Sequence, residues 1–374
     1  MKLTKLMTVL AVAPVLSAQI LYVGTYTKPQ SDSEGIYAFR FNAKAAKFSP
    51  LGLVAAGPNP TFLAVHPNGK FLYAINEIND FQGKAAGSVS AYSIDKASGK
   101  LTPLNQVSSA GTGPCHLIVD PTGKTLLVAN YAGGSFASFP IGTDGKLGQA
   151  VSFIQETGKG PDKERQGAPH GHAVMLSKNN KFALAADLGT DKVMIFKLDA
   201  ANGKITPSDP AFGSVKPGSG PRHIAIAPDQ KHIYVQNEMV STVSTMEFDA
   251  EKGTLKELAQ VSALPADFKG NNSGAEIQIS ADGKFVYSSN RGHHSIAVYA
   301  VDPKTALLTL IQNEPTGGQT PRAFILDPTG NFLIVGNQQT NNFTLHKVDR
   351  ATGKLTATGE SVKLGAPVTF VFAK

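Results

Sequence analysis

Short apolar runs alternating with polar positions recur along the whole chain, each bounded by Gly, Pro, Asn or Asp. The clearest form is a strand-like run, a tight turn and a second alternating run. It appears as "PTFLAVHPNGKFLYAINE" from Pro60, "PCHLIVDPTGKTLLVANY" from Pro114 and "GHAVMLSKNNKFALAAD" from Gly171. It returns as "PRHIAIAPDQKHIYVQNE" from Pro221, "GAEIQISADGKFVYSSNR" from Gly274 and "PRAFILDPTGNFLIVGNQ" from Pro321. Period-two alternation broken by turn residues predicts β-hairpins, and glycine in the turn tolerates the positive φ that hairpins require.

A second hairpin signature follows these units, as in "SVSAYSIDKASGKLTPLNQV", "KVMIFKLDAANGKITPSDP", "SIAVYAVDPKTALLTLIQN" and "NFTLHKVDRATGKLTATGE". Each repeat is therefore four strands in roughly fifty residues, the signature of a propeller blade. Six complete units leave two remainders. The C-terminal "PVTFVFAK" reads as a lone first strand, and the N-terminal "ILYVGTY", "GIYAFRFN" and "KFSPLGLV" read as the other three. A seventh blade shared by both ends closes the ring and removes its exposed edges. The predicted fold is all-β, a seven-bladed β-propeller over residues 19–374. The alternative, two stacked β-sandwiches, does not generate so uniform a four-strand register.

Composition refines this picture at a few points. The chain has 374 residues, 37 glycines and 23 prolines with no low-complexity block, which fits many regular turns. Residues 1–18, with Lys2 and Lys5 ahead of an apolar stretch and Ala18 at a small-residue cut, are expected to be a secretory leader, giving a periplasmic or secreted product; a cytoplasmic protein is the alternative. The apolar stretch is short for a membrane span. The single cysteine, Cys115, excludes an internal disulfide. A net charge of +7, with lysines dispersed and no basic run interleaved with aromatics, argues against nucleic acid as a partner. A monomer without a membrane partner is expected.

In a propeller the first strand of each blade lines the central channel, and the start of that strand meets the end of the second on one face. Aligned on the turn, the position of His223 holds Phe62, His116, His172, Glu276 and Ala323 in the other complete blades. One residue earlier, the position of Arg222 holds Thr61, Cys115, Gly171, Ala275 and Arg322. At the end of the second strand, the position of Glu238 holds Glu77, Tyr131, Asp187, Arg291 and Gln338, with Tyr26 from the shared blade. A packing position would repeat its residue type; these vary while the framework does not. Histidines, acids and arginines thus converge on one mouth, as a small polar ligand requires.

Only six residues are arginines, and three of them, Arg222, Arg291 and Arg322, fall on this ring. A guanidinium grips carboxylate or phosphate through two parallel hydrogen bonds, so an anionic ligand is expected. The histidines His116, His170, His172 and His223 could serve a metal, but neighbouring arginines oppose a cation, and no metal is expected. Three insertions, from Asn79, Gln155 and Pro265, are placed as rims of the same face.

These residues resemble the seven-bladed propeller lactonases, which include bacterial propeller-type 6-phosphogluconolactonases and fungal enzymes acting on 3-carboxy-cis,cis-muconate and its lactone. The resemblance covers Ile20 to Lys374 and rests on "YVGTYT", "HGHAV" with "ADLGTDKV", "GPRHIAI" leading to "NE", "SNRGHHSIAVY" and "TPRAF". It implies a cofactor-independent hydrolase for an anionic sugar lactone, most directly 6-phosphogluconolactone, with catalytic groups at His172, Arg222, Glu238 and Arg291. His172 or Glu238 would be the general base, and the two arginines would bind carboxylate, phosphate or oxyanion. His116, His170, His223, Glu276, Arg322, Asp187, Glu77 and Gln338 would contact substrate. An exported homologue is a departure, since a phosphorylated sugar lactone is a cytosolic metabolite. A lactone-forming enzyme of the muconate type and a non-catalytic binding propeller are the alternatives, and the latter calls for an apolar patch on one face.

Overall fold

A computed structural model describes residues 19–373; the expected leader, residues 1–18, lies outside the described residues. Twenty-eight strands form seven four-stranded antiparallel sheets, and no helix occurs among the described residues. The innermost strands are Phe62–Val65, Pro114–Val119, Gly171–Leu176, Pro221–Ile226, Gly274–Ile279, Pro321–Leu326 and Pro367–Phe372. Each lies beside the next, and the last returns to the first, so the ring is closed. The blade shared by both ends is as expected: Pro367–Phe372 pairs with Gln19–Thr25, which continues to Gly35–Asn42 and Lys47–Ala56.

The turn signature is explained by backbone geometry. Gly69, Gly123, Gly283 and Gly330 sit at φ between 67° and 74°, and Asn180 and Gln230 fill the same left-handed position at 56° and 60° in the two blades that lack glycine. Asparagine is among the side chains that best tolerate this region; Gln230 instead donates its amide to Ala227 O in the same turn.

The core lies between blades. Ala173, Phe182, Leu184, Ile195 and Val215 of one blade pack with Ile224, Ile233, Val235, Met246 and Phe248 of the next. A repeated polar tie reinforces this. Tyr22, Tyr73, Tyr234 and Tyr287, all wholly buried, donate to the carbonyls of Gly99, Gly145, Ala306 and Gly353 in the outer hairpin of the following blade, at 2.9–3.0 Å. Each such bond satisfies a phenol that would otherwise be buried without a partner, a penalty of about 1–3 kcal/mol.

The channel through the ring is divided. Phe62, His116, His223 and Glu276 cross it near one end, and a cavity of about 620 Å³ with walls such as Val119, Ile226, Ile279 and Val371 fills the other. Those walls are mostly apolar; the ionic groups lie on the opposite side of the partition.

Candidate active site at the channel mouth

The inner strands do not pair regularly at their first turn. Pro221 lies opposite Asn237 but His223 opposite Gln236, which leaves Arg222 outside the ladder. The same slip leaves out Cys115, His172 and Arg322, and in the strand from Gly274 it leaves out both Ala275 and Glu276. A bulge bends the strand and re-aims its extra side chain. Repeated around the ring, it delivers non-framework residues to the mouth.

This register corrects one blade of the sequence alignment. Ala173, not His172, occupies the place of His223, because it lies opposite Ala186 as His223 lies opposite Gln236. His172 is the bulge residue, equivalent to Arg222. The same one-residue displacement affects Asp187. Leu188 N bonds His170 O as Glu238 N bonds Gly220 O, so Leu188 is the counterpart of Glu238. Asp187 stands where other blades carry Asn76, Asn130, Asn237, Asn290 and Asn337. Its carboxylate accepts from His170 N, Gly189 N and the Thr190 hydroxyl at 2.7–3.0 Å, so it holds the loop rather than facing a substrate.

Glu238 is the centre of the site. Its Oε2 accepts from Arg222 Nε and Arg291 Nη2, each at 2.9 Å, and its Oε1 accepts from Arg165 Nη2 at 2.6 Å. His172 Nε2 lies 4.0 Å from Oε2. Burial pushes the Glu238 carboxyl up, but Arg291, Arg222 and Arg165 outweigh it and hold the group at about 2. Burial lowers His172 well below 6.5, reinforced by Arg222 and His223, so its imidazole is neutral at neutral pH. Two buried donors beside Glu238, Arg222 Nη1 and Arg291 Nε, have no hydrogen-bond partner among the described residues. Arg291 is anchored further by a 2.9 Å bond from Nη2 to Gly274 O.

A second cluster adjoins the first. Arg322 Nη2 donates to Tyr26 Oη at 3.0 Å, Tyr26 donates to Glu77 Oε1 at 2.8 Å, and Thr61 donates to Glu77 Oε2 at 2.6 Å. Below it, His223 Nδ1 lies 3.2 Å from Glu276 Oε1. Burial raises Glu276 to about 7, and burial together with neighbouring charges lowers His223 and His116 well below 6.5. The ring of His223 is 5.4 Å from that of His116 and 5.2 Å from that of His172. No group of three or more His, Cys, Asp or Glu among the described residues is arranged to hold a metal.

His170 reaches the site at its edge, stacked on Tyr131 at 4.7 Å with Nδ1 3.0 Å from Tyr131 O. Gln338 does not reach it. It lines a separate cleft with Gln30, Thr320, Gln339 and Asn341, so its expected place among the substrate contacts is not supported by the geometry. One group was missed in the sequence. Arg165 comes from the insertion that begins at Gln155, outside the repeats, and the signal was its being the lone arginine of a segment placed on the mouth's rim.

Residues 20–372 match the family described as Lactonase, 7-bladed beta-propeller. A 6-phosphogluconolactonase of Bacillus subtilis is 40% identical over 357 residues, covering 96% of this chain and 99% of the relative. A crystal structure of a candidate 6-phosphogluconolactonase from Bacteroides fragilis superposes with a TM-score of 0.89 at 37% identity, covering 97% and 99% of the two chains. The periplasmic gluconolactonase of Pseudomonas aeruginosa superposes with a TM-score of 0.88 at 31% identity, covering 96% and 99%. The chain is thus a lactone hydrolase by its relatives, and it belongs to the seven-bladed β-propeller lactonase family.

Proposed function

We propose that this protein hydrolyses an anionic sugar lactone, of the 6-phosphogluconolactone type, at the ionic mouth of the channel. The observation that carries this reading is the pair of unpartnered buried donors, Arg222 Nη1 and Arg291 Nε, next to a fixed carboxylate and a neutral imidazole. Buried donors without partners are uncommon, and in a catalytic cleft they are preorganised for charge that develops only during reaction. The wider charge balance agrees. Arg165, Arg222, Arg291 and Arg322 face the carboxylates Glu238 and Glu77, with Glu276 raised to about 7. The excess of guanidinium suits an anionic ligand.

In this mechanism His172 Nε2 takes a proton from water as the water oxygen bonds to the lactone carbonyl carbon. The carbonyl oxygen becomes an oxyanion and accepts from Arg222 and Arg291. Glu238 Oε2, 4.0 Å from Nε2, stabilises the imidazolium so formed. Collapse of the tetrahedral intermediate breaks the ring C–O bond, and the departing oxygen takes the proton back from His172. A carboxylate held at about 2 is a weak base, so Glu238 is assigned the electrostatic role. Export is part of this reading, which makes an unphosphorylated gluconolactone the second substrate to try.

A non-catalytic binding module would need a contiguous apolar face. Leu53, Phe153, Phe212 and Leu258 lie on the outermost strands of four different blades, and Val240, in the turn after Glu238, is a single exposed apolar side chain rather than a face. The test is hydrolysis of 6-phosphogluconolactone, gluconolactone and a muconolactone by the purified protein, with and without chelator, beside His172→Ala and Arg222→Ala. Chelator-insensitive turnover of one lactone, reduced about 10²–10³-fold in Arg222→Ala, is expected. Background rates on all three from folded protein would refute the assignment.

A further inference from the structure

Three arginines grip Glu238, and they are not equivalent. The side chains of Arg222 and Arg291 are 3% and 15% exposed, whereas that of Arg165 is 44% exposed. Arg222 and Arg291 share Oε2, and the one hydrogen-bond donor on Oε1 among the described residues is Arg165. The other contact of the Arg165 guanidinium is with Tyr131 Oη, at 3.2 Å. The backbone beneath it is firmly set. Asp162 Oδ1 accepts from the amides of Glu164 and Arg165, and the wholly buried Gln166 donates to Leu188 O and Asp191 Oδ1. A fixed stem therefore carries a cation whose head meets solvent on one side and the central carboxylate on the other.

The space in the adjoining cluster is small. The void lined by Thr61, Glu77, Cys115, Arg222, Glu276 and Arg322 holds about 10 Å³, room for about one water and not for a sugar lactone. Glu238 Oε1 is occupied by Arg165, so a substrate that bonds to this oxygen must displace a guanidinium whose head also meets solvent.

We propose that Arg165 is an anion-operated gate. In the free protein it seals Glu238 Oε1, and it transfers to the phosphate or carboxylate of an arriving lactone, which opens the mouth and releases Oε1 to accept from the substrate. The transfer is favourable only for a ligand that offers the guanidinium an acceptor as good as the one it leaves, so anionic lactones operate the gate and neutral ones do not. No bond of the substrate is made or broken in this step. Arg165 acts as a specificity and positioning residue, and the proposal rests on the lactonase reading above.

The experiment compares 6-phosphogluconolactone with gluconolactone in wild type, Arg165→Ala and Arg165→Lys, all shown folded by their melting curves. The ratio of kcat/KM for the phosphorylated over the unphosphorylated lactone is expected to fall about 10–100-fold in Arg165→Ala, chiefly through KM, with Arg165→Lys intermediate. An unchanged ratio, whether both substrates decline together or neither does, overturns the gate. Calorimetric binding of 6-phosphogluconate and gluconate keeps the two proposals separable. If wild type turns over neither lactone, the lactonase reading fails. Binding of 6-phosphogluconate at least tenfold weaker in Arg165→Ala then still supports the gate, and equal affinity overturns it.

Discussion

Removing the charge of Glu238 while keeping its shape, Glu238→Gln, tests whether the carboxylate is the keystone of the mouth. Its side chain is 7% exposed, so solvent screening is slight. The folded protein holds it at about 2 against an ordinary 4.5, and at about 1.4 kcal/mol per pKa unit this preference for the ionised form is worth about 3 kcal/mol at pH 7. Because the folded value is depressed, the contribution is complete above pH 4.5 and is lost as pH falls towards 2. At pH 3 about 1.5 kcal/mol remains. For a chain of this size the unfolding entropy is about 0.7 kcal/mol/K, so Glu238→Gln should melt about 4 °C below wild type at pH 7. The gap should shrink by about half at pH 3. Thermal melts of both proteins at the two pH values measure it. A gap of the same size at both would show that the loss comes from packing, and no gap at pH 7 would show that the arginines do not depend on Glu238.

Glu276 should behave in the opposite sense. Burial raises it to about 7 from 4.5, so wild type is favoured while the carboxyl is protonated and loses up to about 3 kcal/mol as pH rises from 4.5 through 7. Glu276→Gln should flatten that slope; comparing the two proteins cancels Glu156, which is also raised to about 7, and identical slopes would refute the assignment. The acid limb of kcat/KM should reflect protonation of His172 and so lie well below pH 6.5, with a plateau at and above that pH; a limb above pH 7 would point to another base. At Gly274 an added Cβ would lie 1.8 Å from Gln236 Nε2 and would displace the carbonyl that anchors Arg291. Gly274→Ala should cost about 1–3 kcal/mol of stability and reduce kcat, and retention of full activity would separate the Arg291 anchor from catalysis.

The fold was legible because propeller packing repeats: the inner hairpin with its positive-φ turn and the outer hairpin recur as sequence patterns at a fixed period. The closing blade followed from counting strands at both ends. Where repeat register extends to the mouth, the structure brings Arg222 and Arg291 onto Glu238 and sets Arg322 in the adjoining cluster. The register failed in the blade whose turn, "SKNNK", carries neither the proline nor the glycine of its counterparts. There the count slipped by one residue, and His172 and Asp187 were given the neighbours' roles. Arg165 escaped because its position is set by Gln166 and Asp162 inside an insertion, and no periodicity reports where such a loop folds back.

The pairing of Pro367–Phe372 with Gln19–Thr25 closes the ring through two segments far apart in the sequence. Thr369, Phe370 and Val371 wall the channel, and Val368 borders the void beside Arg222 and Arg322. Without that strand the first blade keeps an unpaired edge and the mouth lacks part of its wall. The mouth's wall is therefore completed by a contact between distant segments, and a ring in which that contact is lost is left as an open arc with a β-edge exposed to neighbours. Ring closure and the framing of the mouth thus depend on the same residues, Val368 to Val371.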